Sequence, residues 1–270
     1  MTEQLREIIA RLRNYTTSEL CDGVVDYHTM DYHIRRQVTT KKIVGPAFTI
    51  NPPKGINGII PDAILEAEEG DVLVVAGQGF CAGSYWGDHR SICANMKGLE
   101  GIVIDGAFRD LDGCREADFP IFARSVTPGS AGKARKGELN VPIICGGVKV
   151  HPGDLIIGDC NGVLVIKPED AEWIMAKADE KINAEKHTIQ RMKKNKEISI
   201  EMVDNGLGVT FVFGTDWKIN EEKSRRIPVY DSSGSPVARN VWMMFSDRCF
   251  QSPDIMDFIS LVEELYQTNV

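Results

Sequence analysis

Two short stretches carry side chains that could act together on one ligand. The first runs Gly77-Gln78-Gly79-Phe80-Cys81-Ala82-Gly83-Ser84-Tyr85-Trp86-Gly87-Asp88. It sits between the apolar run Val72-Leu73-Val74-Val75-Ala76 and a helical pattern from Asp88 to Lys97 that Gly98 closes. A glycine-rich loop between a buried strand and a helix offers unpaired backbone N–H groups and the positive end of a helix dipole, both suited to an anion. The second stretch is Arg109-Asp110, separated from Asp88 by 20 residues. It follows the strand pattern Gly101-Ile102-Val103-Ile104-Asp105 and a tight Gly106-Ala107-Phe108, and strand ends are where α/β proteins place ligands. A guanidinium grips a carboxylate through two parallel hydrogen bonds. A neighbouring carboxylate can hold a hard cation such as Mg²⁺, with water completing the octahedron. Taken singly, each stretch has a plainer reading: glycines that only turn the chain, and a solvated Arg-Asp pair.

The elements that must position these residues can be read from the periodicity of the chain. Leu5, Ile8, Ile9 and Leu12 have helical spacing, with Thr2 as N-cap, and Thr16 or Thr17 caps a second helix whose first turn Glu19 supports. Ile43 to Ile50 is extended with a Gly-Pro break, and Ile60 to Glu69 reads as a short helix. Ile121-Phe122-Ala123 is a short strand, Val141 to Cys145 begins a strand-rich region, and Asn161-Gly162 is a two-residue turn joining Leu155–Asp159 to Val163–Ile166. Glu169 to Lys196 is a long charged helix. Beyond Ile198 the texture changes. Strand patterns occur at Val209–Phe213 and Val241–Phe245, and Ser252-Pro253-Asp254 starts a terminal helix. Alternating strands and helices place the central region in the α/β class, with part of the sheet antiparallel.

The bulk composition excludes several functions. A net charge of -8 and the lack of a basic stripe with interleaved aromatics argue against a nucleic-acid partner; the one basic run, Arg191 to Lys196, reads as a solvated helix end. No apolar run is long enough to span a membrane, and Met1 to Tyr15 is not a signal peptide. The seven cysteines include no C-x-x-C pair, which argues against a disulfide framework or a structural zinc. Most are flanked by apolar residues and are expected to be small buried thiols in a reducing, cytoplasmic setting. No G-x-G-x-x-G follows a strand, so no dinucleotide-type cofactor site is expected. His89 is the one histidine expected near the site; Lys97 and Lys149 are expected to face solvent.

The Asp88-x20-Arg109-Asp110 arrangement resembles the signature of the class II pyruvate aldolases that include 4-hydroxy-4-methyl-2-oxoglutarate aldolase, and of their RraA-like relatives. Further stretches agree in order and spacing, from Thr17-Ser18-Glu19-Leu20-Cys21-Asp22 through Gly70 to Val75, Phe119 to Arg124 and Gly146 to Asp154, to Asp159-Cys160-Asn161-Gly162-Val163. The resemblance implies a compact α/β/β sandwich like the swivelling phosphohistidine domains, here residues 1–197. Residues 198–270 would be a C-terminal extension used for packing or oligomer contact, with Phe211, Phe213, Trp217, Trp242 and Phe245 as core material, or alternatively a lid. It implies trimers or dimers of trimers with sites near subunit interfaces, and a further acidic residue from a neighbouring subunit.

By the same resemblance, Arg109 would bind the carboxylate of a pyruvate half and Asp110 would ligate Mg²⁺ or Mn²⁺. Asp88 would position a proton carrier. The backbone from Tyr85 to His89, with Trp86, Gly87 and Asp88, would support the substrate, and Asn57 would lie near the site. The implied activity is a metal-dependent carbon–carbon lyase acting on a small 2-oxo acid. It would be retro-aldol cleavage of a 4-hydroxy-2-oxo acid, decarboxylation of oxaloacetate, or both, with no lysine Schiff base. The sequence departs from the better characterised aldolases three residues after Asp110, where they carry an acid and this chain has Gly113. The other reading on the same scaffold is a non-catalytic regulator like the inhibitors of an RNA-degrading endonuclease.

Overall fold

The computed structural model describes residues 2–22, 28–195, 209–213, 224–228 and 241–246, with side chains described for 2–22 and 28–186. Two units divide the chain, Met1–Asn183 and Ala184–Val270. The first unit opens with helices α1 (Glu3–Leu12) and α2 (Thr17–Asp22), then strands β1 (His28–Thr29), β2 (Arg35–Val38) and β3 (Ile43–Asn51). Helix α3 (Ile60–Glu66), strand β4 (Val72–Trp86), helix α4 (Asp88–Met96), strand β5 (Gly101–Phe108), helix α5 (Leu111–Glu116) and strand β6 (Ile121–Val126) alternate through its centre. There follow β7 (Glu138–Leu139), β8 (Ile143–Cys145), β9 (Val148–Val150), β10 (Leu155–Gly158), β11 (Val163–Ile166) and α6 (Ala171–Asn195).

Strand β3 organises the sheet. Its first half, Ile43 to Pro46, pairs antiparallel with β10, and its second half, Ala47 to Ile50, pairs parallel with β4. The change of partner falls at Gly45-Pro46, the break expected from the sequence. Proline has no N–H to give to a ladder, so it marks a point where pairing ends or shifts. Nine strands are thereby joined in the order β1-β11-β10-β3-β4-β5-β6-β2, with β7 also on β3. The run β3-β4-β5-β6 is parallel, and the β10-β11 and β1-β11 pairs are antiparallel.

Side-chain alternation separates three cores. Leu73 and Val75 of β4 join Ile102 and Ile104 of β5 under α3, α4 and α5, with Ala63, Ala94 and Cys114 from the helices. Val72, Val74 and Val103 point the other way, onto Ile156, Val163 and Val165. Leu155, Ile157, Leu164 and Ile166 then face Ile8, Leu12, Leu20 and Met175 of α1, α2 and α6. A period of two sends neighbouring residues to opposite faces, so each strand serves two layers and reads as an apolar run. The result is the expected α/β/β sandwich, with a further layer of helices from α1, α2 and α6 on its outer face.

The helix starts follow the sequence. Thr2 Oγ1 accepts the Leu5 N–H at 3.3 Å. Thr16 and Glu19 form a reciprocal capping box, Thr16 N–H to Glu19 Oε2 at 2.7 Å and Glu19 N–H to Thr16 Oγ1 at 3.2 Å. Three expectations need correction. The glycine-rich stretch from Gly77 is not a loop but the second half of β4, which stays paired with β5 through three irregularities. Its glycines answer to close strand approach: a Cβ on Gly77 would lie 2.5 Å from the Asp105 carbonyl oxygen. The turn at Asn161-Gly162 is a four-residue loop, because Gly158 pairs with Val163. Of the six described cysteines, all free, only Cys114 and Cys145 are buried, while Cys93 and Cys160 are exposed.

In the second unit, β12 (Val209–Phe213), β13 (Ser224–Pro228) and β14 (Val241–Ser246) form an antiparallel sheet in the order β12-β14-β13. Two of these strands follow the sequence reading; Ser224–Pro228 adds a third. The terminal helix expected from Ser252, Trp217 and the side chains of Phe211, Phe213, Trp242 and Phe245 lie outside the described residues. No helix among the described residues is long and apolar enough to cross a membrane.

Candidate active site

Asp88, Arg109 and Asp110 meet because two parallel strands end in register. Trp86, the last residue of β4, pairs with Phe108, the last residue of β5, and the Arg109 N–H donates to the Trp86 carbonyl at 3.0 Å. The 20-residue spacing is one crossover: out along α4, a turn at Gly98, and back along β5. The last strand residues thus deliver Gly87-Asp88 and Arg109-Asp110 to the same edge of the sheet, outside its carboxyl ends.

These residues line a pocket of about 170 Å³ together with Ser84, Trp86, His89, Arg90 and Lys133. Arg109 pairs with Asp110 through Nε and Oδ2 at 3.0 Å, which engages one of the guanidinium's five N–H donors. Asp110 precedes α5 at φ 55°, ψ 48° and makes no capping bond with its side chain. A left-handed aspartate costs on the order of 1 kcal/mol, and here it leaves the carboxylate in the pocket wall rather than on the helix end. Gly87 makes room for it: a Cβ there would stand 2.6 Å from Asp110 Oδ2. Gly113 does the same for Asp88, since a Cβ at that position would lie 2.7 Å from Asp88 Cβ and 2.8 Å from its Oδ2. The Asp88 carboxylate therefore occupies the space that a side chain at 113 would need. Asp88 Oδ1 also accepts the His89 N–H at 2.7 Å, so one of the backbone donors expected to face a ligand is turned inward.

Asn57 stands behind the pocket rather than in its wall. It is 1% exposed. Its Nδ2 donates to the Ser84 carbonyl at 2.7 Å, its N–H donates to the Gly132 carbonyl at 2.8 Å, and its carbonyl accepts from Arg90 Nη2 at 3.2 Å. Three segments of the pocket wall are tied through this one residue. Trp86 is also a core residue: its ring stacks on Phe119 with centroids 5.8 Å apart, and its Nε1–H donates to Ser91 Oγ at 2.8 Å. It reaches the site mainly as strand backbone.

Two cations of the site were not singled out in the sequence. Arg90 Nη1 donates to the Tyr85 carbonyl. Burial, and then the charge of Arg109, push the Arg90 guanidinium down to about 10. Lys133, from the segment between β6 and β7, is likewise lowered by burial and by Arg90 and Arg109. Nothing in the local sequence of Arg90 sets it apart from a surface cation. The signal available was the small-residue context of Lys133, Gly129-Ser130-Ala131-Gly132, which permits close approach to β4. By contrast, Lys97 is exposed and its Nζ donates to the Leu65 carbonyl at 2.9 Å, and Lys149 is exposed. Of the histidines, His89 lines the pocket.

The donor set fits a cation held lightly. Asp88 and Asp110 are the carboxylates of the pocket wall, and no group of three or more His, Cys, Asp or Glu suited to a metal occurs among the described residues. A fully protein-caged metal is therefore not built here. A Mg²⁺-like ion, which keeps several waters and takes one or two carboxylates plus substrate oxygens, matches these oxygens. Larger hollows beside Thr17, Cys21 and Asn161, and beside Leu5, Phe48 and Asp71, bring no arginine or lysine together with their carboxylates.

The fold is a layered α/β fold with an Arg-Asp pair at the end of one strand and an aspartate at the end of its neighbour. The RraA-like family model (Aldolase/RraA) matches residues 17–165, more than half of the chain. The chain belongs to the RraA-like family. It is 35% identical over 181 residues to a Halalkalibacterium halodurans protein named "Putative 4-hydroxy-4-methyl-2-oxoglutarate aldolase", covering 67% of this chain and 86% of that one. Among solved structures it resembles Streptomyces coelicolor RraAS2, titled an unusual member of the RNase ES inhibitor RraA protein family. The TM-score there is 0.58 at 27% identity, covering 69% of this chain and 96% of that one. An uncharacterized protein from Pseudomonas syringae pv. tomato gives a TM-score of 0.62 at 25% identity, covering 70% and 93%.

Proposed function

We propose that this chain is a divalent-metal-dependent carbon–carbon lyase that releases pyruvate from a small 2-oxo acid. The reaction would be retro-aldol cleavage of a 4-hydroxy-2-oxo acid, decarboxylation of oxaloacetate, or both. The observation that carries this reading is the convergence of Asp88, Arg109 and Asp110 on one pocket at two paired strand ends. The aldolase name of the Halalkalibacterium relative supports the same chemistry.

In this reading Arg109 takes the carboxylate of the pyruvate half and fixes its orientation, which raises the rate by proximity and charge. Asp110, with Asp88 beside it, would hold Mg²⁺ or Mn²⁺. A cation held there would supply Lewis-acid stabilisation of the negative charge that both reactions develop. Asp88 positions a proton carrier at the mouth of the pocket. Arg90, half-buried and fixed by Asn57 and Tyr85, adds standing positive potential behind the carboxylate site. No lysine need form a Schiff base.

We further propose that the chain works as a homo-oligomer, a trimer or dimer of trimers. Supporting this, Leu65 of α3 and Ile92 and Met96 of α4 expose large apolar side chains on the helix layer that carries Asp88. Light scattering that returned a monomer at working concentration would remove this part of the reading.

A second reading has an observation of its own. The Streptomyces relative is named within an inhibitor family, and Gly113 departs from the acidic position of the better characterised aldolases. A regulator on this scaffold needs neither metal nor turnover. One experiment separates the two: pyruvate release from oxaloacetate and from 4-hydroxy-4-methyl-2-oxoglutarate, with Mg²⁺, Mn²⁺ or chelator, beside Arg109→Ala. The lyase reading expects turnover that chelator abolishes and that falls at least about 100-fold in Arg109→Ala. Absence of turnover on both substrates with either metal would leave the regulator in its place.

A further inference from the structure

We propose that Ser91 and Cys114 are positioning residues: their buried hydrogen-bond relay sets the spacing between Asp88 and Asp110, and through it the affinity of the pocket for a divalent cation. This inference rests on the lyase reading above, in which those two carboxylates hold the cation.

The two residues occupy equivalent places. Ser91 lies one turn into α4, its N–H donating to the Gly87 carbonyl at 3.1 Å, and Cys114 lies one turn into α5, its N–H donating to the Asp110 carbonyl at 2.9 Å. Both side chains are shut away from solvent. They meet, with Ser91 Oγ donating to Cys114 Sγ at 3.6 Å. From there the contacts run outward. Ser91 Oγ accepts the Trp86 Nε1–H at 2.8 Å and lies 3.2 Å from the Gly87 carbonyl oxygen. The Cys114 thiol donates to the Arg109 carbonyl at 3.4 Å. Indole, hydroxyl, thiol and carbonyl thus form one directional chain, each donor giving its single proton to the next member.

Both ends of this chain fall on the backbone that carries the acids. Trp86 leads into Gly87-Asp88, and the Arg109 carbonyl belongs to the peptide plane that ends at the Asp110 nitrogen. A trans peptide is rigid, so a plane held at Arg109 fixes where Asp110 begins. Asp110 needs that hold. It is left-handed, at φ 55° and ψ 48°, and makes no capping bond with its side chain. A sparsely populated conformation persists only where its surroundings over-determine it. The first turn of α5 also abuts the other acid, since a Cβ on Gly113 would lie 2.7 Å from Asp88 Cβ. A shift of α5 against α4 therefore moves both carboxylates relative to each other.

Packing alone does not ask for polar atoms here. Cys114 belongs to the apolar core that also holds Ala94, Phe108 and Phe119. Buried polar groups cost stability unless they are bonded, and an apolar pair of the same shape would fill the space equally well. What the polar pair adds is direction: it aligns two helix starts at the point where the acids leave them.

The test is calorimetric titration of Mn²⁺ into the full chain, beside a thermal scan of each variant. Ser91→Ala and Cys114→Ala should each weaken Mn²⁺ binding by about 10-fold. The double variant should lose no more than about 10-fold, because both substitutions cut the same chain. Cys114→Ser, which keeps a donor in place, should stay within about threefold of wild type. Ile102→Val trims the same core away from the relay; it should lower the melting temperature and leave Mn²⁺ affinity unchanged. If Ser91→Ala does not fold, the contrast between Cys114→Ala and Cys114→Ser carries the test. Wild-type affinity in Cys114→Ala, losses that multiply to about 100-fold in the double variant, or a loss in Ile102→Val equal to that in Cys114→Ala would overturn the inference alone. Failure of wild type to bind Mn²⁺, or an Asp110→Asn variant that binds it as tightly as wild type does, would overturn the lyase reading and this inference together.

Discussion

Two glycines without side chains shape the chemistry of their acidic neighbours. Gly87 has φ -165° and ψ -175°, extended backbone open to any residue, so a substitution there acts through contact alone. Gly87→Ala would push a methyl to within 2.6 Å of Asp110 Oδ2 and 3.5 Å of Arg109 Cγ. We expect about a 10-fold weaker affinity for Mn²⁺, as for other changes beside a metal-binding carboxylate, with little change in melting temperature; calorimetric titration would show it. Unchanged Mn²⁺ affinity would mean that Asp110 does not bind the cation from this position. Asp88, Arg109 and Asp110 were legible in the sequence because one crossover separates them in the chain and in space. Arg90 and Lys133 were not, because a cation gains its role from what surrounds it. Lys133 is brought to the site by Gly55, Asn57 and Ser84, all more than forty residues away in the chain.

At the scale of elements, the second half of β4 is the instructive case. Gly, Ser and Ala between Gly77 and Ser84 read as a loop, and β5 overrides that local preference by pairing with Phe80, Ser84 and Trp86. Tertiary partners decide strand formation more than propensity does. The short strands β1, β2 and β7 escaped the sequence for the opposite reason. Two to four residues of mixed polarity, such as Arg35-Arg36-Gln37-Val38, carry no period long enough to recognise. The longer elements, by contrast, fall where their apolar spacing put them, α4 and β5 among them. Asn57 belongs to this scale because it fastens β4, α4 and the segment before Lys133 to one another. Asn57→Ala would leave the buried Ser84 carbonyl without its Nδ2 donor and remove the 3.4 Å contact of Arg90 with Oδ1, while the backbone bonds to Arg90 and Gly132 remain. We expect a loss of about 1–3 kcal/mol in stability and a raised KM. Urea melts and steady-state kinetics would measure both, and a variant as stable as wild type would show that the side-chain bond to Ser84 is not what holds the segments together.

For the whole molecule, the α/β class and a partly antiparallel sheet were legible in the alternation of strand and helix patterns, while the α/β/β layering was implied by the family resemblance. The outer helices were visible as elements, yet their place could not be read from their amphipathic pattern, which says that a face is buried and not against what. A partly buried ion-pair network joins β5, β6 and the segment after β1. Arg124 pairs with Asp105 and, at 3.0 Å, with Asp31. The His33 N–H first, then its ring and Arg124, hold the Asp31 carboxyl down at about 2, below its ordinary 3.8. A depressed folded-state pKa stabilises above the ordinary value and loses that contribution as the pH falls through it. The gap in melting temperature between wild type and Asp31→Asn should therefore be constant above about pH 5 and close as the pH approaches 2. A gap that stayed constant through acid would show that the carboxylate charge is not what Asp31 contributes.

Strand β3 is paired to β10 along one half and to β4 along the other, and that has a cost during synthesis. Residues 43–46 leave the ribosome long before residues 155–158. Until then Ile43 and Val44 present a bare, apolar strand edge to every other nascent or damaged copy. Such an edge templates aggregation. The moment at which this edge is most exposed is therefore the interval before the β10–β11 hairpin arrives, and any truncation upstream of Leu155 would make that interval permanent.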